Sequence, residues 1–219
     1  MYLSRLELRP DASSKPEFWV DLQNLYREHQ AIWQLFGDDP QRKRDFLFRK
    51  EVGADGSRWY TLSAREPIDG RGIWSVESKG FEPILEAGQR LRFAVRVNPT
   101  VAKAGSKAKS VRHDVVMNEK RRMLEGKHSE SESAIVHRAC TAWLSARSAK
   151  HGFVFAPREV GFDGYRQLGG SKEAAIRIST VDINGILTVQ EPEAFRKMLF
   201  QGLGPAKSFG CGLMLVRPV

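Results

Sequence analysis

The stretch "LYREHQAIWQLF", residues 25–36, sets a phenol and an imidazole three residues apart. On a helix turning about 100° per residue, Tyr26 and His29 are i, i+3 neighbours whose side chains can reach one spot. His29 falls inside an apolar stripe of Leu22, Leu25, Ile32, Trp33 and Phe36, while Gln23, Asn24, Arg27, Gln30 and Gln34 fall elsewhere. An imidazole can take or give a proton near neutrality, whereas a phenol, with a reference pKa of ~10, mainly donates a hydrogen bond. The pair therefore suits chemistry in which a proton moves and a developing charge is held. The competing reading is a hydrogen-bonded core histidine, the commoner fate of an imidazole on an apolar face.

Metal chemistry finds less support. Two-metal hydrolysis asks for clustered carboxylates, and the nearest acids, Asp38, Asp39 and Asp45, lack ligand spacing and suit a helix-terminal turn. Cys140 and Cys211 stand far apart, with no CxxC pair and no Cys/His cluster at zinc spacing, so both read as packed thiols. No metal site and no cofactor are expected. A second stretch, "GLGPAKSFGCGL" at 202–213, invites comparison with a phosphate-binding P-loop. It fails, because Ala206 stands where a Walker motif needs glycine, and the stretch follows a helix and enters a strand. Its four glycines suit tight turning and close backbone approach. Lys207 and Ser208 within it can still offer a charge and a hydroxyl to a phosphate.

The chain has 219 residues, 41% of them hydrophobic, enough to bury a core in one large or two small domains. Thirty-five Lys and Arg against 26 Asp and Glu give +9, which favours a polyanionic partner. Residues 100–128 hold eight Lys or Arg and three acids. Such a long connection is either a solvated basic loop or an arm that orders on phosphates, with Lys103, Lys107 and Lys109 as the candidates. No stretch approaches the ~18 apolar residues of a membrane span, and "MYLSRLELRP" lacks a signal-peptide pattern, so no membrane association and a cytoplasmic location are expected.

The elements that must position these groups follow from periodicity. Residues 2–9 alternate as a strand, and residues 16–36 are helical, stopped by Gly37 and Pro40. "DFLFRKEV" and "RWYTLSA" form a hairpin, with a further strand near 73–78. From Leu91 the pattern restarts: strand, a helix entered through Ser129 and Glu132 as a capping box, strands over 153–162 and 175–190, a short helix, and a closing strand. The order βαββαβ predicts an α+β fold of two tandem ferredoxin-like units with antiparallel sheets, residues 1–88 as a degenerate copy and 89–219 as the second.

A glycine-rich loop between the last helix and last strand of such a unit resembles the signature of the repeat-associated RNA-binding superfamily of CRISPR proteins. With "MYLSRLEL", "LYREHQAIWQLFGDDPQRKRDFLFR" and "QGLGPAKSFGCGLMLVRP", the chain resembles the CasE-type precursor-RNA endoribonucleases of type I-E systems from its first residues to its last. The resemblance implies a protein that binds the CRISPR repeat stem-loop and cuts once at the 3′ base of the stem without metal. It then stays on the mature guide RNA beside the other Cascade subunits. The resemblance assigns catalysis to Tyr26 and His29, and puts a basic hairpin of the second unit into the major groove, with Arg158, Arg166 and Lys172 as candidates. RNA supplies its own nucleophile, so the implied products are a 2′,3′-cyclic phosphate and a 5′-hydroxyl. Whether His29 acts on the nucleophile or the leaving group stays open. The rival is a non-catalytic scaffold that binds guide RNA; base stacking in the manner of an RRM is disfavoured because "SRWYTLSA" lacks that pattern.

Overall fold

The computed structural model describes residues 1–16, 25–37, 44–104, 110–126, 130–168 and 178–219. The first unit is one antiparallel sheet of β1 (Tyr2–Leu8), β2 (Phe46–Gly53), β3 (Gly56–Ser63) and β4 (Trp74–Gly80), in the order β2-β3-β1-β4. Helix α1 (Leu25–Trp33) continues into a 3₁₀ turn, Gln34–Phe36, that ends at Gly37. Ile32, Leu35 and Phe36 pack on Leu6, Phe46, Phe48, Trp59 and Trp74. Leu22 lies outside the described residues.

Every residue of "FLFR" in β2 is buried, which departs from the usual alternation. The reason is that this sheet is covered on both sides. Phe46 and Phe48 face α1, while Leu47 joins Leu62 of β3 and Leu213 of the second unit in a separate apolar cluster. A helix is missing from the expected ferredoxin-like order, since residues 64–73 between β3 and β4 are not helical. They cross the end of α1 instead. Ile68 donates its backbone N–H to Leu35 O at 2.9 Å, and Arg65 grips Asp45 through two contacts of 2.9 and 3.1 Å while donating to Phe36 O. Asp45 thus has a structural partner.

The second unit begins with β5 (Arg90–Val97). An insertion follows: β6 (Thr100–Ala104), β7 (Ser110–Asp114) and helix α2 (Val115–Glu125). Then come α3 (Glu132–Ser148), β8 (Phe153–Val154), β9 (Val160–Leu168), β10 (Ile178–Val189), α4 (Pro192–Gln201) and β11 (Met214–Pro218). The sheet order is β11-β5-β10-β8, with β9 also on β10, because a 3₁₀ turn at Pro157–Glu159 divides one strand position in two. This is the strand order of the first unit again, so both halves are ferredoxin-like. The buried residues of β5 and β10 meet Val136, Cys140, Trp143 and Leu144 of α3 and Phe195, Met198 and Leu199 of α4.

Two expectations are corrected here. The described part of the basic insertion is neither loop nor free arm. Asp114 caps α2 by accepting from Val116 N and Met117 N, and it also accepts from the Tyr165 hydroxyl at 2.9 Å. Lys120 pairs with Glu132 and Arg138 with Glu119, so α2 is held against α3. The cap of α3 is Ser131, whose Oγ accepts from Ala134 N, and Glu132 is already the first helical residue rather than the partner in a capping box. Ser129 lies outside the described residues.

Candidate active site

Helix α1 is fixed in rotation by an acid. Glu28 is 8% exposed, accepts from the indole N–H of Trp59 at 3.0 Å and pairs with Lys50 at 2.9 Å, and Lys50 in turn sits over the Trp59 ring. With Glu28 pinned to the sheet, the next residue, His29, lies half-buried at the helix edge. Trp33 meets its ring edge-on at 5.6 Å, Phe48 stacks at 6.1 Å, and Phe46 lies tilted by 30° at 6.1 Å. Tyr26, one turn earlier, is 53% exposed. The two side chains line one recess of about 360 Å³ with Gln30, Trp33 and Gln34.

A core histidine would have its ring nitrogens satisfied. Nδ1 of His29 is buried without a hydrogen-bond partner among the described residues. Burial first, and the positive charge of Arg44 second, push the His29 pKa down to about 4. The imidazole is therefore neutral at physiological pH, the form that accepts a proton.

Arg44 enters just before β2, half-buried, and donates through Nη1 to Ser208 Oγ at 2.7 Å. Its charge acts on Lys207 as well as on His29. Burial and then Arg44 lower the Lys207 pKa, and the ammonium donates to Gln201 O. Arg44, Arg112 of β7, Lys207 and Ser208 share a second recess of about 460 Å³ that no acid lines. None of these three cations has a carboxylate partner among the described residues. Unpaired cations converging with a hydroxyl beside an imidazole fit a phosphodiester.

The glycine-rich turn presents Lys207 and Ser208 while packing too tightly for other residues. Gly202 has φ +77°, and a Cβ there would lie 2.9 Å from both δ carbons of Leu47, across the seam between the units. Ala206 itself is left-handed, at φ 59°. The structural reading of the glycines and the charge-presenting reading of Lys207 and Ser208 thus coexist in one turn.

The other anticipated RNA contacts are scattered. Arg166 on β9 lies over a third recess, of about 440 Å³, which Glu28 and Phe48 also line. Asp182 there gathers Arg96 at 2.9 Å, the buried Arg49 at 3.5 Å and Arg166 at 3.8 Å. Arg158 is exposed in the turn before β9, so it stands at the base of the hairpin, roughly 25 Å of extended chain from Arg166. Lys103 lies on β6, whereas Lys107, Lys109 and Lys172 are outside the described residues, as are Asp38 and Asp39. Among the described residues no group of three or more His, Cys, Asp or Glu could hold a metal ion, and no helix is long and apolar enough to cross a membrane. Cys140 and Cys211 are buried thiols whose pKa values burial pushes up to about 12, in keeping with packing. Sequence reasoning missed Arg44, Arg112 and Glu28. The run "QRKRDF" signals only that some cation precedes β2.

Two ferredoxin-like units, a Tyr–His helix and a glycine-rich turn that closes against that helix define a tandem-repeat protein with a basic, phosphate-suited site. The chain belongs to the CRISPR associated protein family, whose model matches residues 1–218. It is 29% identical over 199 residues to the CRISPR system Cascade subunit CasE of Escherichia coli, covering 90% of this chain and 93% of that one. It is 27% identical to the CRISPR-associated endoribonuclease Cse3 of Thermus thermophilus over the whole of both chains. Among solved structures, Cse3 bound to a 19-nucleotide RNA superposes with a TM-score of 0.73 at 27% identity, covering 99% of this chain and 98% of that one. Cas6e from Escherichia coli matches over 100% of both chains, with a TM-score of 0.67 at 26% identity.

Proposed function

We propose that this protein is a site-specific endoribonuclease that binds the CRISPR repeat stem-loop and cuts precursor RNA at the 3′ base of the stem without a metal ion. It then remains on the mature guide RNA with the other Cascade subunits, in the cytoplasm. Residues 1–88 bring the catalytic helix, and 89–219 bring the glycine-rich turn and the basic hairpin. The observation that carries this reading is a neutral, unpartnered imidazole at the rim of a recess, beside three cations that lack carboxylates among the described residues.

His29, kept neutral, takes the proton of the 2′-hydroxyl as its oxygen attacks the adjacent phosphorus in line. The P–O5′ bond breaks as O5′ takes a proton from solvent water, leaving a 2′,3′-cyclic phosphate and a 5′-hydroxyl. Arg44 and Lys207 hold the non-bridging oxygens, where negative charge accumulates in the transition state. Tyr26, exposed at the same rim, orients the phosphate by donating its hydroxyl. Arg166, Arg158 and Lys172, with Lys103, Lys107 and Lys109, supply phosphate contacts along the stem.

The test is incubation of labelled cognate repeat stem-loop with the protein in EDTA. One cut is expected, giving the two termini above. His29→Ala lowers the single-turnover rate by about 10²–10⁴ while binding persists, and a 2′-deoxy nucleotide before the scissile phosphate blocks the cut. Binding without any cut by the wild-type protein would assign the scaffold role instead, and cleavage of the deoxy substrate would refute the internal nucleophile.

A further inference from the structure

A recess of about 710 Å³ lies away from His29, between the two sheets. Its floor is the face of the second sheet that α3 and α4 do not cover. Leu91, Phe93, Val95 and Val97 of β5 point into the core, so Arg92 and Ala94 face the cleft, while Arg96 lines the neighbouring recess of Arg166 and Asp182. Register then places Arg217 of β11 directly opposite Arg92, with Ile186 of β10 on the other side of Arg92. Tyr60 of β3 and Glu51 of β2 form the facing wall.

The charges do not balance locally. Glu51 is paired with Arg49 at 3.1 Å and Glu159 with Arg90 at 2.9 Å, so both acids lining the cleft are already neutralised. Arg92 and Arg217 are exposed, and neither has an ion-pair partner among the described residues. Like charges directly opposed on neighbouring strands repel, and an anion bridging the two guanidiniums removes that repulsion. The half-buried phenol ring of Tyr60 across the cleft adds an aromatic face. Paired guanidiniums beside an aromatic ring, in a space of this size, form the combination that holds a single-stranded nucleotide: phosphate on the cations, base on the ring.

We infer that the cleft between the sheets is a second RNA site, which takes the phosphodiester backbone of single-stranded RNA flanking the stem-loop. It rests on the proposed RNA-processing function but uses none of its catalytic residues.

The test is fluorescence anisotropy with the cognate repeat stem-loop, bare or extended by eight uridines at the 5′ or the 3′ end. One extension is expected to tighten binding about tenfold. The double substitution Arg92→Ala/Arg217→Ala abolishes that gain and lowers the salt slope for the extended RNA by about 1.4, the counterion release of two single-strand contacts. It leaves binding and single-turnover cleavage of the bare stem-loop unchanged, and Arg92→Lys/Arg217→Lys keeps most of the gain. If neither extension tightens binding, or if the gain survives the alanine pair, the inference falls. If the alanine pair leaves every RNA bound as before but blocks assembly with protein subunits, the cleft belongs to a protein partner and the inference falls as well. Failure to bind even the bare stem-loop would instead refute the functional reading on which it rests.

Discussion

Glu28 is the residue whose removal tests how α1 is held. In Glu28→Ala the indole N–H of Trp59, at 0% exposure, loses its acceptor. An orphaned buried donor costs about 1–3 kcal/mol. The ion pair with Lys50 adds little, roughly 0.5–1 kcal/mol, because Lys50 is one-third exposed and screened by solvent. The sum is about 1.5–4 kcal/mol, and with a urea m-value of about 2 kcal/mol/M the midpoint drops by about 0.8–2 M. Glu28→Gln keeps an acceptor for Trp59 and costs about 1 kcal/mol or less. Urea titration followed by far-UV circular dichroism reads both shifts. Below the transition, single-turnover cleavage should fall more than RNA binding in the alanine variant, because the helix that carries His29 is no longer pinned. An alanine variant within about 0.5 kcal/mol of wild type, or a glutamine variant as damaged as the alanine one, would refute the anchoring role.

Because burial lowers the His29 pKa to about 4 and His29 works as a base, kcat/KM, which reports the free protein, should stay flat from neutrality down to about pH 5 and fall below it; a fall on raising the pH through that pKa would make His29 the acid. The same depressed pKa means the unfolded chain takes up a proton near pH 6.5 that the native chain resists. Stability should thus be fully present above about 6.5 and decline towards 4, a decline that equilibrium unfolding shows to be shallower in His29→Phe. Gly202→Ala combines a glycine-only backbone conformation (φ 77°, ψ 151°), about 1–3 kcal/mol, with overpacking against Leu47, about 1–3 kcal/mol, and should lower the urea midpoint accordingly. Arg44→Ala should reduce cleavage more than Tyr26→Phe does and raise the His29 pKa in an NMR titration; an unmoved pKa would break the link between them. Neutralising Lys103, Lys107 and Lys109 together should flatten the salt dependence of binding, and an unchanged slope would remove them from the RNA path.

The alternation of β1, the "GADGS" hairpin and the restart at Leu91 made the two sheets legible, because strand and helix periods survive in the sequence whenever one face is buried. The Tyr26–His29 pair was legible for the same reason, through its spacing on α1. Arg44 was not, because its role depends on Ser208, 164 positions away, and one cation in "QRKRDF" looks like the next. Glu28 reads as a solvent-facing acid until Trp59 and Lys50 are folded over it. In "SESES" three serines stand before or at the helix start, and the capping-box spacing of Ser129 and Glu132 competes with the cap the structure uses, Ser131. The insertion looked unstructured because its charge masked a plain signal, Asp114 standing before the first turn of α2. The absent helix between β3 and β4 left no mark beyond the shortness of that connection.

The apolar patch of Leu47, Leu62 and Leu213, with the grip of Arg44 on Ser208, ties the first strands of the chain to residues 208–213. A polypeptide still emerging from the ribosome has made α1 long before it has made Ser208 or Leu213. Until those residues emerge, one side of the first sheet stays uncovered and the phosphate recess lacks a wall. Ribonuclease activity would then appear only after residues 208–213 have emerged and folded back, so a chain still short of them could not cut RNA.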